Sequence, residues 1–149
     1  MHSSDEHAGA AAEVDFAKLF AEIKTVAVVG YSDNPDRAGH YVAQYLAAQG
    51  YRVIAVNPRY GPEVDHLPCF PNLAAISASE SVDVVDVFRS PAFVPPLVDE
   101  AAGLKPLPKY FWMQPGAENL QAAELARQRG MTPIMEACMM AAHKIWGGA

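Results

Sequence analysis

Short apolar runs alternate along the chain with segments in which apolar residues recur at helical spacing. Most runs are rich in valine and isoleucine, which is typical of strands buried on both faces of a parallel sheet. They predict five strands, over residues 25–29, 51–56, 82–88, 110–113 and 131–135. The helical spacing predicts helices over residues 16–23, 39–49, 91–101 and 117–129, a short turn at 73–76 and a last helix that ends near residue 146.

The order of these elements predicts the fold class. Strands separated by helices pair in parallel through right-handed crossovers. We therefore expect an α/β fold with a single Rossmann-like, doubly wound parallel sheet of five strands and helices on both faces. Residues 1–12 offer nothing bulky to bury and predict a disordered tail, which leaves residues 13–149 for the domain.

Composition narrows the classes of function. The formal net charge of −6 argues against general nucleic-acid binding, which needs a basic face. The N-terminus lacks the pattern of a signal peptide, and no apolar run approaches the roughly 18 residues of a membrane span. The two cysteines, Cys69 and Cys138, fit a reducing compartment. We expect a cytoplasmic protein with neither nucleic acid nor membrane as a partner.

Three arginines follow three different predicted strands: Arg37, Arg59 and Arg89. The carboxyl ends of parallel strands share one edge of the sheet, where such folds bind ligands. Arginine grips phosphate through paired hydrogen bonds, so three of them at this edge predict an anionic ligand. The alternative is that they flank strands by chance or pair with nearby aspartates, namely Asp33, Asp36 or Asp86.

The loop after the first strand departs from the dinucleotide-binding fingerprint. That fingerprint is G-x-G-x-x-G followed by an acid at the end of the second strand, whereas this chain has Ser32 after Gly30 and ends its second strand in Asn57-Pro58-Arg59. Backbone N–H groups after Gly30 and at Gly39, where the next helix starts, can still bind phosphate. A cation in place of the acid favours a ribose that bears an extra phosphate, as in NADP or coenzyme A.

Four segments in this order carry a resemblance to a known family. They are "VAVVGYSDNPDRAGHYVAQYLAAQGYRVIAVNPR", "VDVVDVFRSP", "WMQPGAEN" and "EACMM". Together they resemble the stand-alone CoA-binding domain proteins, which are similar to the CoA-binding domain of the succinyl-CoA synthetase α subunit. The resemblance spans residues 20–146.

The resemblance implies coenzyme A or an acyl-CoA as the ligand, with contacts from four loops. The residues that would face the pyrophosphate are Gly30, Tyr31, Ser32 and Arg37, with Gly39 and His40 at the helix start beside them. Those that would line the 3′-phosphate side are Asn57, Pro58 and Arg59. Those that would line the adenine and phosphate cleft are Phe88, Arg89 and Ser90. Those beside the pantetheine arm would be Gln114, Pro115 and Gly116.

The residues near these loops do not form a catalytic set. His40 is expected to donate a hydrogen bond rather than to act as a base, because no carboxylate and nucleophile accompany it. Cys138 could approach a CoA thiol, but a packed, inert role is favoured. No Cys/His spacing predicts a metal site. Asp83 and Asp86, in the third strand, are expected to cap or to form salt bridges.

The leading hypothesis is a non-catalytic CoA- or acyl-CoA-binding protein that senses, carries or presents the cofactor. It could act as a homodimer or with a partner enzyme. One alternative is an NADP-binding oxidoreductase or redox sensor. Another is a structural interaction module whose nucleotide site is vestigial.

Overall fold

Seven strands form one sheet in the computed structural model, which describes residues 14–148. They are β1 (Thr25–Val29), β2 (Arg52–Val56), β3 (Glu63–Val64), β4 (Leu67–Phe70), β5 (Val84–Val87), β6 (Tyr110–Met113) and β7 (Thr132–Ile134). Their order across the sheet is β3-β4-β2-β1-β5-β6-β7, and every neighbouring pair is parallel except β3 with β4. The predicted tail over residues 1–12 lies outside the described residues.

The predicted number of five strands is wrong, because β3 and β4 were missed. β4 contains Pro68 and is followed by Pro71, and this proline content is typical of a loop. Pro68 is tolerated because only the two-residue β3 pairs with that side of β4. The other side of β4 pairs with the end of β2, through Cys69 and Phe70.

The six parallel strands have the order of a Rossmann sheet. Numbered along the chain without the antiparallel β3, they lie in the spatial order 3-2-1-4-5-6. The strand order reverses between β1 and β5, which are direct neighbours in the sheet. The loops that follow these two strands therefore face each other across the switch point.

Five α-helices are present among residues 14–148: α1 (Phe16–Glu22), α2 (Ala38–Ala48), α3 (Val94–Ala102), α4 (Leu120–Gln128) and α5 (Met139–Trp146). Short 3-10 helices cover Leu73–Ala75 and Pro91–Phe93. The helix predicted from residue 91 therefore begins as a 3-10 turn. The helix predicted from residue 117 begins later, because Asn119 caps it by accepting a hydrogen bond from Ala122 N. No helix in this part of the chain combines the length and apolar character of a membrane span.

Helices cover both faces of the sheet, as predicted. Val26 and Val28 of β1 pack in one core with residues of α1, α2 and α5. Ala27 and Val29, which point to the other face, pack in a second core with residues of α3 and α4. Because both faces are covered, β1 is buried at all five positions, and its end is held rigidly beneath the loop that follows it.

Asp83 and Asp86 differ in role. The Asp83 carboxylate accepts hydrogen bonds from the backbone of Lys24 at 2.8 Å and Thr25 at 3.0 Å, which confirms a capping role. The expectation of a cap or salt bridge is wrong for Asp86. Its side chain is fully buried between Val28 and Trp112 of the neighbouring strands, and neither carboxyl oxygen has a hydrogen-bond partner among residues 14–148. This burial raises the pKa of Asp86 well above its usual value.

The raised pKa of Asp86 makes stability depend on pH. The folded state retains a proton that the unfolded state releases above about pH 4, so this contribution is full below the unfolded pKa and is lost as the pH rises toward the folded pKa. Asp86→Asn cannot ionise at this position. Between the unfolded and the folded pKa of Asp86, we therefore expect the free energy of unfolding of Asp86→Asn to rise relative to that of the wild type by up to about 1.4 kcal/mol per pH unit. Urea unfolding of both proteins from pH 4 to pH 8 measures the gain. Parallel stability curves would contradict it.

Candidate functional site

A cleft of about 700 Å³ opens at the carboxyl ends of the strands, where β1 and β5 lie side by side. We call it the switch-point cleft. Its walls are the loops that follow β1, β2, β5 and β6. The predicted residues that line it are Gly30, Tyr31, Ser32, Arg37, Gly39, Asn57, Arg59, Phe88, Arg89, Ser90, Gln114, Pro115 and Gly116. The two predicted residues that do not line it are His40 and Pro58.

A second cleft, of about 600 Å³, lies at the opposite edge of the sheet beside Tyr110 and Thr132, the first residues of β6 and β7. Its charged residues are of both signs, and its Arg127 lies 3.3 Å from the Glu124 carboxylate. Parallel sheets bind their ligands at the other edge, outside the carboxyl ends of the strands. The switch-point cleft is therefore the candidate site.

The arginines of the switch-point cleft are free to bind an anion. Arg37, Arg59 and Arg89 are exposed, and none forms an ion pair with a carboxylate among residues 14–148. The Arg89 guanidinium instead lies 5.0 Å from the centre of the Phe93 ring. The alternative in which these arginines pair with aspartates is thus not what the structure shows. Within residues 14–148, an anion entering the cleft therefore displaces no carboxylate from these three arginines.

The start of α2 lies directly against the loop that follows β1. Gly30 has φ of +87°, and a Cβ atom there would lie 2.3 Å from the carbonyl oxygen of Phe88. A Cβ atom at Gly39 would lie 2.7 Å from the carbonyl oxygen of Gly30. Only glycine fits either position. The contact brings the N-terminus of α2, with its unpaired N–H groups and positive dipole end, to the wall of the cleft.

One peptide of this loop is turned so that its N–H group faces the cleft. The Ser32 carbonyl accepts a hydrogen bond of 2.9 Å from His40 Nδ1, on the side away from the cleft. In a planar trans peptide the C=O and the following N–H point in opposite directions. The Asp33 N–H accordingly faces the cleft, where it donates to the hydroxyl of Tyr60 at 2.9 Å.

Asn57 organises the turn after β2. Its Nδ2 donates to the carbonyl of Tyr31 at 2.8 Å, which ties this turn to the loop after β1. Its Oδ1 accepts from the backbone N–H of Arg59 at 2.9 Å, so the asparagine side chain sets the direction of the chain at Arg59. The end of β2 thus presents an arginine to the cleft and offers no carboxylate for a ribose diol.

The far wall of the cleft is fixed by Gln114. This side chain is almost completely buried at the end of β6, and its Oε1 accepts a hydrogen bond from the Met139 N–H at 2.9 Å. The bond joins the loop after β6 to the first turn of α5. Pro115 and Gly116 follow at the rim, where both are exposed.

His40 lies behind the loop rather than in the cleft. Its Nδ1 donates to Ser32, as the sequence led us to expect of a hydrogen-bond donor, but the acceptor is the protein and not a ligand. Tyr31 reaches the cleft wall, yet its side chain is fully buried and its hydroxyl lies 3.4 Å from the same His40 nitrogen. Both side chains support the loop from beneath.

Pro58 lies in a smaller cavity of about 360 Å³ that adjoins the cleft. The two spaces share the lining residues Gly30, Asn57 and Arg89. Apolar side chains, including Leu73 and Leu97, form much of the cavity wall. A flat apolar group joined to an anionic one could therefore occupy both spaces at once.

Sequence reasoning missed five lining residues of the cleft: Asp33, Asn34, Ala38, Tyr60 and Ala117. Each lies in or next to a loop already recognised as following a strand, so position alone could have found them. Asp33 is the only carboxylate among the described residues that line the cleft. Its Oδ1 accepts a hydrogen bond from the Tyr60 hydroxyl at 3.0 Å, which joins the loops after β1 and β2.

The cysteines lie apart from the cleft. Cys138 is partly exposed at the N-cap of α5, but it does not line the cleft wall. Cys69 is buried in β4, and this burial raises the pKa of its thiol, which disfavours the reactive thiolate. Within residues 14–148 no three metal-ligating side chains come together as a metal site requires.

The strand order and the switch-point cleft define a Rossmann-like α/β protein, and the three arginines at its ligand-binding edge form no ion pair with any carboxylate in residues 14–148. A family model described as the CoA binding domain matches residues 24–144, and the chain belongs to this family.

Proteins from bacteria and archaea are similar to this chain at 31–32% identity. YneT of Bacillus subtilis, itself uncharacterized, is 31% identical over 137 residues, which cover 89% of this chain and 95% of that protein. A hypothetical protein from Pyrococcus horikoshii is similar in structure, with a TM-score of 0.82 and 32% identity over 90% of this chain and 91% of that one. A Thermus thermophilus protein has a TM-score of 0.81 and 31% identity, covering 89% of this chain and 99% of its own.

The contact between α2 and the loop can be tested at Gly39. Alanine is normally more stable than glycine in a helix by up to about 1 kcal/mol. We nevertheless expect Gly39→Ala to destabilise the fold by about 1–3 kcal/mol, because its Cβ would meet the Gly30 backbone, which cannot move aside cheaply. Denaturant unfolding measures the change. The control is Gly61→Ala, where nothing lies within 4 Å of the new Cβ, and stability should hardly change. An equal effect of both substitutions would contradict the close contact.

Proposed function

We propose that this protein binds coenzyme A or an acyl-CoA without transforming it, and so senses, carries or presents the cofactor. The observation that carries the proposal is Arg59. It is exposed at the end of β2 and pairs with no carboxylate of the described residues 14–148, at a position where a dinucleotide site without an extra phosphate has an acid. Membership in the CoA binding domain family supports coenzyme A over other phosphorylated nucleotides.

The shape and charge of the cleft suit the parts of coenzyme A in order. The diphosphate would lie against the loop after β1 and the start of α2, near Arg37, where N–H groups are free or easily freed. The 3′-phosphate would meet Arg59. The adenine would extend past Arg89 into the adjoining cavity, whose lining is both apolar and polar, while the pantetheine arm would leave along Gln114–Gly116.

We also propose that the protein catalyses no reaction of the bound ligand. His40, the one histidine close to the phosphate loop in sequence, already donates its Nδ1 proton to the Ser32 carbonyl. Cys138 stands outside the cleft wall, and Asp33 is engaged with Tyr60. A thioester reaction would need a nucleophile and a base that reach the same atom.

NADP is the second candidate, and Arg59 is also what favours it. A guanidinium at the end of β2 could pair with a 2′-phosphate as well as with a 3′-phosphate. The two ligands differ in the group attached to the far end of the diphosphate. In NADP this group is a nicotinamide riboside, and in coenzyme A it is a flexible pantetheine chain. A protein that binds NADPH more tightly than coenzyme A would belong to the oxidoreductase or redox-sensor alternative.

Comparison of coenzyme A with dephospho-CoA tests the role of Arg59. We expect the wild type to bind coenzyme A about tenfold more tightly or better, the scale of one charge-assisted contact. Arg59→Ala should remove most of this preference and leave the affinity for dephospho-CoA nearly unchanged. A higher salt concentration should reduce the difference between the affinities for coenzyme A and dephospho-CoA, because Arg59 is exposed. Isothermal titration calorimetry gives each affinity.

Arg37→Ala is the matched control for this test. It removes the same charge from the same cleft, but at the loop that would face the diphosphate, which both ligands carry. Arg37→Ala should weaken the binding of coenzyme A and of dephospho-CoA by a similar factor, so that the ratio of the two affinities is unchanged. Equal wild-type affinities for coenzyme A and dephospho-CoA would refute the assignment of Arg59.

The binding-only proposal predicts no turnover. Protein incubated with acetyl-CoA, succinyl-CoA or a longer acyl-CoA should release no free thiol above the background of protein alone, because no nucleophile and base from residues 14–148 converge in the cleft. A thiol-reactive dye measures the release. Cys138→Ser and His40→Ala serve as controls, since release that depends on the protein and disappears in either variant would mean that the protein is an enzyme.

A further inference from the structure

Asp65 lies in the tight turn of the β3–β4 hairpin. The turn consists of Asp65 and His66, with φ of +50° and +67°. Both residues are left-handed, a conformation in which glycine, asparagine and aspartate are favoured in hairpins of this length. The His66 side chain is almost fully exposed, at 99%, whereas Asp65 turns back toward the body of the protein. The turn thus places one carboxylate on a specific target.

That target is the underside of the loop after β1. Asp65 Oδ2 accepts a hydrogen bond of 2.6 Å from the buried hydroxyl of Tyr31, which in turn accepts from Gln44 Nε2 at 2.9 Å. Burial, together with the Asp65 carboxylate, holds the pKa of Tyr31 well above its usual value, so the hydroxyl remains a donor. The same Asp65 oxygen lies 3.7 Å from His40 Nδ1. A single carboxylate therefore contacts both side chains that support the loop.

Those two side chains control the peptide that faces the cleft. Tyr31 immediately precedes Ser32 in the loop, and His40 holds the Ser32 carbonyl at 2.9 Å. Because the peptide is planar, this hold turns the Asp33 N–H toward the cleft, where the Tyr60 hydroxyl accepts its hydrogen bond at 2.9 Å and a diphosphate oxygen would take the place of that hydroxyl. Side-chain contacts thus lead from the hairpin turn to a backbone donor in the wall of the candidate site, and the first of them, from Asp65 to Tyr31, spans 34 residues of sequence.

We propose that Asp65 is a positioning residue for diphosphate binding: through Tyr31 and His40 it keeps the Asp33 N–H directed into the switch-point cleft. The inference rests on the proposed function and deepens it, because it names the ligand group that the hairpin serves. Asp65 does not touch the ligand. Its own negative charge opposes anion binding, so a positioning role and a charge effect predict changes of opposite sign when Asp65 is replaced.

Three variants separate these effects. Asp65→Gly removes both contacts and relieves the left-handed backbone. His66→Gly relieves the same kind of backbone strain at the adjacent position without touching the loop, and is the matched control. Asp65→Asn tolerates the turn and retains an acceptor for Tyr31, so it is the rescue variant. Affinities for inorganic pyrophosphate and coenzyme A are measured by calorimetry, and exchange of the Asp33 amide proton is measured by NMR in the ligand-free protein.

We expect Asp65→Gly to weaken the binding of pyrophosphate and of coenzyme A about five- to tenfold, which is the scale of one lost hydrogen bond. The same substitution should speed exchange of the Asp33 amide proton. His66→Gly should match the wild type in both readouts, and Asp65→Asn should recover most of the affinity. Tighter pyrophosphate binding by Asp65→Gly, or unchanged exchange at Asp33, would overturn the proposal.

The same measurements distinguish failure of the proposed function from failure of the positioning role of Asp65. If the wild type binds neither coenzyme A nor pyrophosphate, the proposed function is wrong, and Asp65 is then judged by amide exchange alone. Faster exchange at Asp33 in Asp65→Gly but not in His66→Gly would still support the positioning role. Equal exchange in all the proteins would refute it.

Discussion

The close contact between Gly39 and the carbonyl of Gly30 is the constraint on which the candidate site depends. Any larger residue at position 39 would push α2 away from the end of β1, because the opposing atom belongs to the backbone. With the helix in place, its free N–H groups, the loop amides and Arg37 share one wall of the cleft. The geometry for holding an anion thus comes from a glycine pair that carries no charge of its own.

Apart from the buried Tyr31, the loop between these glycines is mostly polar, and hydrogen bonds from residues outside the loop help to fix its shape. Asn57 holds the carbonyl of Tyr31, and His40 holds the carbonyl of Ser32. Each bond occupies an acceptor on one side of a peptide and leaves its donor on the other. Binding sites gain affinity when their donors are already oriented, because the ligand then has less to order. Residues outside the cleft can therefore set affinity as strongly as those that line it.

The sequence predicted those features that depend on local pattern. Buried strands such as β1 are apolar throughout, and the arginines follow strands directly, so both could be located without coordinates. β4 could not, because Pro68 conceals a strand whose existence depends on the partner β2. The role of Asp65 could not either, since its contact with Tyr31 spans 34 positions and arises only when the hairpin folds back. Asp86 shows the same limit, because nothing in its neighbouring sequence reveals that no partner reaches it.

An acidic protein with an anion site raises the question of which charges the ligand experiences. The chain carries a formal net charge of −6, yet salt at 0.15 M screens charges beyond about 8 Å. Carboxylates on distant surfaces therefore contribute little inside the switch-point cleft. Among the described residues that line the cleft, three arginines without an ion-pair partner in residues 14–148 face a single carboxylate, Asp33, which is itself hydrogen-bonded to Tyr60. Local attraction thus governs the bound state, while the overall charge acts mainly on long-range encounter. The two effects have opposite sign, so low salt should slow the approach of an anionic ligand while it strengthens the contacts made after arrival.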